Sequence, residues 1–290
     1  RILTEFQSDS AAMASCVVRN PGTRWKPHRW TGRNFLRNFS VLPGPTAERP
    51  DLYVYDLCPF CTRARMIFGL KKIPHRLIFM SYDDVETPRA LIGKKLAPIL
   101  HLHGQDPFPE SLEIIKRVDE DARWGLPLLQ KASGREDLKL FEKNHWPLMR
   151  LLIHTRFVLH AYMPDLTFQS AREYFVAQHP VQGPNGEARP DQDEWRSWDQ
   201  AKRFSWYQQN LQRSHKELIP KLNEDLKEAE DLIFQEDSVS PGGVGYDDVI
   251  FFCRVRYLPL ILGLKPGPKL EAYIKAMSQR CDIPLLSPSM

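Results

Sequence analysis

The sequence predicts an α/β domain with a single sheet, followed by an all-α half. Two observations carry the assignment. Short apolar, β-branched runs alternate with helix-periodic runs from residue 51 to about residue 124, and beyond Leu128 long helical patterns follow without a convincing strand.

In chain order, DLYVYD (51–56) is short, aromatic and β-branched, which suits a buried strand. PFCTRARMIFGLKK (59–72) places Phe60, Ala64, Ile67 and Phe68 at roughly helical spacing. HRLIFM (75–80) reads as a second strand, ETPRALIG (86–93) as a short helix, APILHLH (97–103) as a third strand and PESLEIIKRVDEDA (109–122) as a helix. This β-α-β-α-β-α order defines a domain over 51–128. A helical domain over 136–290 follows, with helices expected at 135–161, 197–234, 246–264 and 268–279. PVQGPNGEARPDQDE (180–194), with three prolines and two glycines, reads as a surface loop inserted among them.

A length of 290 residues with 42% hydrophobic composition suffices for two modest domains with real cores. No apolar run reaches the roughly 18 to 20 residues of a membrane span; even residues 247–264 carry two arginines and two aspartates. The net charge of +4 is uneven: residues 1–50 hold eight Lys/Arg against three acids, and the rest hold 32 against 33. Nothing in the body suggests a nucleic-acid surface. From Ser10 to Ala47 there is no acid, and the stretch is arginine-rich with Ser and Thr, a composition like that of an organellar transit peptide. Arg37-Asn38-Phe39-Ser40 resembles a mitochondrial presequence cleavage site, and Met13 is a plausible start. Pro21 and Pro27 interrupt any long amphipathic helix, so a docking arm or a flexible tail stays open beside the transit reading. VLPGPTAERP (41–50) reads as a linker, with ordered structure beginning near Asp51.

Five cysteines, Cys16, Cys58, Cys61, Cys253 and Cys281, do not form the dense even framework of a small secreted domain, and a reducing compartment fits them better. Cys58 and Cys61 lie three apart across a strand-to-helix junction. A zinc site would need two more ligands, and His101 and His103 are the only close histidines, so no metal is expected. A redox pair is the better reading. Cys58 would sit at a helix N-terminus, where free N–H groups and the dipole favour a thiolate, and Pro59 suits the first helical position. Cys61, one turn further in, is placed to attack a mixed disulfide on Cys58. Cys253, in an apolar helix, and Cys281, in the tail, read as structural.

The segments YVYDLCPFCTRARMIFGLKKIP, DDVETP, GKKLAPIL and PESLEIIKRVD, with YDDVIFFCRVRYLPLILGL and IPLLSPSM later, closely resemble the glutaredoxin 2 family over residues 51 to 290, apart from the 180–195 insertion. The resemblance implies a thioredoxin-like N-terminal domain, a glutathione transferase-like helical C-terminal domain and glutathione-dependent thiol–disulfide exchange with glutathione as co-substrate. It implies Cys58 as nucleophile and Cys61 as resolving thiol. Ala97 and Pro98 match the family's cis-proline element, and Glu110 and Ser111 its γ-glutamyl site, with Lys94 or Lys95 near the glycine carboxylate. Glutathionylated or disulfide-containing proteins are then the expected partners. A dehydroascorbate reductase or thiol-type transferase shares the architecture. A structural subunit of an organellar complex, docked through the arm or the 180–195 insertion, is the third reading. The arm points to mitochondria, with plastid and cytoplasm as alternatives. The sequence departs from the family at the arm, at the insertion, and at Gly245, where a Ser or Thr cap is usual ahead of an Asp; Asp248 can still serve that first turn.

Overall fold

The computed structural model describes residues 44–160 and 163–286, together with the strand 16–19. The expected cleavage motif at Arg37–Ser40, the start at Met13, and the end of the first long helix at Ala161 lie outside the described residues.

The first domain is a sheet of five strands in the order β1-β3-β2-β4-β5: β1 (Cys16–Arg19), β2 (Asp51–Val54), β3 (Arg76–Met80), β4 (Ile99–His101) and β5 (Phe108–Pro109). β2 and β3 are parallel, joined by α1 (Pro59–Leu70); β4 runs antiparallel to β2, and β5 antiparallel to β4. α2 (Glu86–Ile92) ends at Gly93, whose φ of 75° gives the left-handed cap that glycine adopts without strain. α3 (Ser111–Glu120) packs beside α1, and each buries its apolar stripe in the core, Ile114, Ile115 and Val118 on α3 and Ala64, Ile67 and Phe68 on α1. Gly69 of α1 is required by close approach: a Cβ there would lie 1.7 Å from the Cys281 carbonyl oxygen.

Two local features depart from the sequence reading. Order does not begin at Asp51: CVVR (16–19) pairs antiparallel with β3, Cys16 opposite Met80 and Arg19 opposite Leu77, and Thr46 and Arg49 close a turn. An open strand edge accepts any β-prone segment within reach, and two valines supply one. β5 is the second departure: two residues with a proline carry no periodicity for the sequence to show.

The helical domain comprises α4 (Glu136–His160), α5 (Gln169–Gln178), α6 (Gln192–Ser197), α7 (Gln200–Arg213), α8 (Ile219–Asp225), α9 (Ala229–Leu232), α10 (Tyr246–Val255) and α11 (Pro268–Arg280). Among the described residues no strand follows Pro109. The single helix expected over 197–234 is broken: a π turn over Ser214–Leu218 precedes Pro220, which lacks the N–H and crowds the carbonyl four residues back. Pro259 likewise ends the 246–264 stretch, leaving α10 and a 3₁₀ turn at Leu258–Leu260. The loop at 180–194 is not loose on the surface. Val181 is buried, Gln182 accepts from the Asn210 amide, and Asp191 caps α6.

Gly245 has a steric reason. Tyr246 N–H donates to the Gln130 carbonyl, and a Cβ on Gly245 would stand 2.6 Å from that oxygen. The Asp248 half of the cap remains, its carboxylate accepting from Gly245 N–H at 2.9 Å.

Candidate active site

The strand β2 ends in a tight turn, Tyr55-Asp56-Leu57, that delivers Cys58 to the N-terminus of α1. Cys58 caps that helix with extended backbone (φ −88°, ψ 120°), Pro59 takes the first helical position, and the Cys58 carbonyl accepts the first helical bond from Thr62 N–H at 3.0 Å. Cys58 is half-buried and Cys61 fully buried; both are free thiols. The Cys61 thiol donates to Cys58 and is the main influence lowering the Cys58 pKa; burial opposes it, and the amides of Cys61 and Phe60 and the charge of Arg254 assist. Burial chiefly, and its bond to Cys58, push the Cys61 thiol well up. The pair is therefore polarised: the half-buried Cys58 is the more acidic thiol and the buried Cys61 the less acidic one.

The sheet register gathers the other expected residues at the same end. Tyr53 pairs with Ile99, so the Ala97-Pro98 segment enters β4 at the end of the sheet where β2 leads into the Cys58 turn. The Ala97-Pro98 peptide is cis, and Pro98 is buried. Ile99 pairs in turn with Pro109, which brings Glu110 and Ser111 to this edge at the start of α3. Glu110 is exposed with φ 79°, an uncommon conformation for a residue with a side chain, whereas Ser111 is buried as the first residue of the helix. The two lysines separate. Lys94 is exposed, while Lys95 donates to the Tyr82 carbonyl and lies 3.8 Å from the centre of the Tyr174 ring, burial bringing its pKa down to about 8. His101 and His103 do not join the cysteines; His103 contacts the Pro45 carbonyl at 3.0 Å. Among the described residues no group of three or more His, Cys, Asp or Glu side chains could hold a metal.

Several groups at the site carry no signal in the sequence. Arg256, fully buried, donates to the Asp56 carboxylate at 2.8 Å and to the Asp56 carbonyl at 3.1 Å; Arg65 also pairs with that carboxylate. Tyr257 hydroxyl donates to the Asp56 carbonyl at 2.9 Å. Asp165, in the 3₁₀ turn Pro164–Leu166, accepts from Asp56 N–H at 3.1 Å and Leu57 N–H at 3.4 Å. Arg254 extends over the exposed Phe60 ring, 5.8 Å from its centre, and over Trp146 at 4.2 Å. Apart from Arg65 with Asp56, these contacts join positions about 100 to 200 residues apart, and no local pattern records them. Cys253 is buried, bonded to the Ile250 carbonyl at 3.1 Å and to Arg63 at 3.4 Å, and Cys281 is buried in the tail.

Comparison with known proteins agrees with this geometry. Residues 191–289 match the family described as "Glutaredoxin 2, C terminal domain", and residues 52–125 match "Glutathione S-transferase, N-terminal domain". Glutaredoxin 2 of Escherichia coli K12 is 31% identical over 236 residues, covering 81% of this chain and 97% of that protein; the O157:H7 protein gives the same values. The crystal structure of glutaredoxin 2 from Salmonella typhimurium in complex with glutathione superposes with a TM-score of 0.68 at 31% identity, covering 82% of this chain and 96% of that one. On this similarity, spanning both domains, the chain belongs to the glutaredoxin 2 family.

Proposed function

We propose that the chain is a glutathione-dependent thiol–disulfide oxidoreductase in which Cys58 is the nucleophile and Cys61 the resolving thiol. The observation that supports this best is the polarised pair: a half-buried Cys58 whose pKa is lowered by a buried Cys61, at an open helix N-terminus. The Cys58 thiolate attacks the glutathione sulfur of a mixed disulfide, the bond to the substrate thiol breaks, and that thiol leaves. A second glutathione thiolate, or Cys61, then attacks Cys58 and releases glutathione disulfide or glutathione. In this reading the Ala97 backbone pairs with the cysteinyl unit of glutathione beside Pro98, Ser111 and Glu110 take the γ-glutamyl group, and Lys94 serves the glycine carboxylate. Lys95, held by Tyr82 and Tyr174, is the less available cation.

The test is a pair of substitutions. Cys58→Ser is expected to abolish all thiol transfer, whereas Cys61→Ser keeps removal of glutathione from a mixed disulfide and loses most protein-disulfide reduction. An active Cys58→Ser protein overturns the assignment. Running the same protein on dehydroascorbate separates this reading from that of a dehydroascorbate reductase.

For the arm, the proposed destination is the mitochondrion, on the acid-free basic stretch before Ser40. Cleavage there would remove β1 and reopen the β3 edge. N-terminal sequencing of the native protein decides between a cut arm and a retained edge strand.

A further inference from the structure

Asp165 is a fully buried carboxyl that the reaction above does not use. It belongs to the helical domain, yet its carboxylate is bonded to the Cys58 turn and its carbonyl accepts from Tyr82 N–H at 2.9 Å. Three consecutive amides of that turn are shared out: Tyr55 N–H points at Cys61 Sγ at 3.3 Å, Asp56 N–H at Asp165 Oδ1 and Leu57 N–H at Asp165 Oδ2. The buried thiol and the buried carboxyl are thus held by successive amides of one turn. Among the described residues no Lys or Arg pairs with Asp165, because the nearby cations Arg65 and Arg256 are committed to Asp56. The other titratable groups facing this space are Tyr55, Tyr82, Cys58, Asp56 and Asp84.

We propose that Asp165 accepts the Cys61 proton when Cys61 resolves the glutathione mixed disulfide on Cys58, and returns it when the internal disulfide is reduced. The proposal rests on the oxidoreductase reading and assigns one further group to it. As the Cys61 S–H proton passes to the Asp165 carboxylate, the sulfur electron pair attacks Cys58 Sγ. The Cys58–Cys61 bond forms, the Cys58–glutathione bond breaks, and the pair leaves on the glutathione thiolate, which takes a proton from water. Cys61 is oxidised, the glutathione sulfur is reduced, and Cys58 stays at the disulfide level throughout. Burial, then the neighbouring Asp56, push the Asp165 carboxyl well above the ordinary carboxylate range, which makes it a stronger base than a surface carboxylate, and burial pushes the Cys61 thiol up as well. An ordinary surface carboxylate would be too weak a base for such a thiol.

Rapid mixing of the reduced protein with glutathione disulfide, acid quench and mass spectrometry would follow the mixed disulfide and its conversion to the internal disulfide across pH. Asp165→Asn is expected to slow the conversion about tenfold or more at neutral pH relative to attack by external glutathione on the same mixed disulfide, and to change the pH profile of the internal step. Equal slowing of both routes, or of neither, overturns the proposal. Because the Asn amide would face Leu57 N–H, a second measurement avoids substituting Asp165. Carboxyl NMR titration should place Asp165 above the usual carboxylate range and move it by about one unit on Cys61→Ser. An ordinary midpoint near 4, unmoved by that change, overturns it too. If external glutathione fails to turn over the wild-type protein at all, the oxidoreductase reading itself has failed, a result distinct from either of these.

Discussion

Replacing Arg256 by Met should destabilise the protein by about 3 kcal/mol at neutral pH. The side chain has no solvent exposure and its guanidinium serves five acceptors: the Asp56 carboxylate, the Asp56 carbonyl, the Pro284 carbonyl, Thr62 Oγ1 and the Tyr257 hydroxyl. Removing one member of a buried ion pair typically costs about 3 to 5 kcal/mol, because the remaining charge stays desolvated. Two features place this case at the lower end: Arg65 still pairs with Asp56, and Met fills much of the vacated volume. The effect has a pH signature. Arg256 and Arg65 overcome burial and hold the Asp56 carboxyl below its ordinary value, so the pair's contribution is fully present above about pH 4, the unfolded value, and is lost as pH falls through the folded one. Urea unfolding of wild type and Arg256→Met between pH 3 and 7 reads both quantities. Arg254→Met is the control: its partly exposed pair with Glu142 is worth about 1 kcal/mol or less. The reasoning fails if Arg256→Met stays within about 1 kcal/mol of wild type, or if its deficit is the same at pH 3 as at pH 7.

Ser111→Ala and Glu110→Ala should each weaken glutathione use about ten- to a hundredfold, measured as the glutathione dependence of turnover, while the alkylation rate of Cys58 is kept. Gly69→Ala should cost about 3 kcal/mol in urea unfolding, since its Cβ would meet the Cys281 carbonyl at 1.7 Å and α1 or the tail must move. Asp248, raised by burial to about 6, binds its proton more tightly folded than unfolded, so its contribution to stability falls between about pH 4 and 6, by roughly 3 kcal/mol. Asp248→Asn should flatten the stability profile in that window; an unchanged slope would remove Asp248 as its source.

The parts of this fold visible in the sequence are those encoded locally. The CPFC run lay between a β-branched segment and a helical one, so the placement of Cys58 at a helix start followed from Pro59 and periodicity alone. The long stretch at 197–234 misled because its apolar spacing continues through Pro220, and only the backbone shows the π turn that accommodates it. α5 lies in a segment whose polar and apolar residues are poorly sorted, and β1 is a four-residue run whose two valines stand in a basic stretch. Asp165 was beyond reach. It sits in a single turn with no period, and its value lies in partners 108 and 109 residues away.

These long-range partners bear on why the CPFC turn comes with a helical domain at all. Its polar groups are satisfied largely from the other side of the interface: the Asp56 and Leu57 amides by Asp165, and the Asp56 carbonyl by Arg256 and Tyr257. Tyr55 N–H and the Tyr55 carbonyl are matched within the first domain, by Cys61 Sγ and Cys58 N–H. A buried amide or carbonyl without a partner costs about 1 to 3 kcal/mol, so stripping the helical domain away would leave this turn to water and to rearrangement. The turn also fixes where the N-terminus of α1 points, and thereby the amides of Phe60 and Cys61 that favour the Cys58 thiolate. The turn that carries Cys58 is thus held by the domain interface as much as by the four-residue motif, through Asp165, Arg256 and Tyr257 of the helical domain.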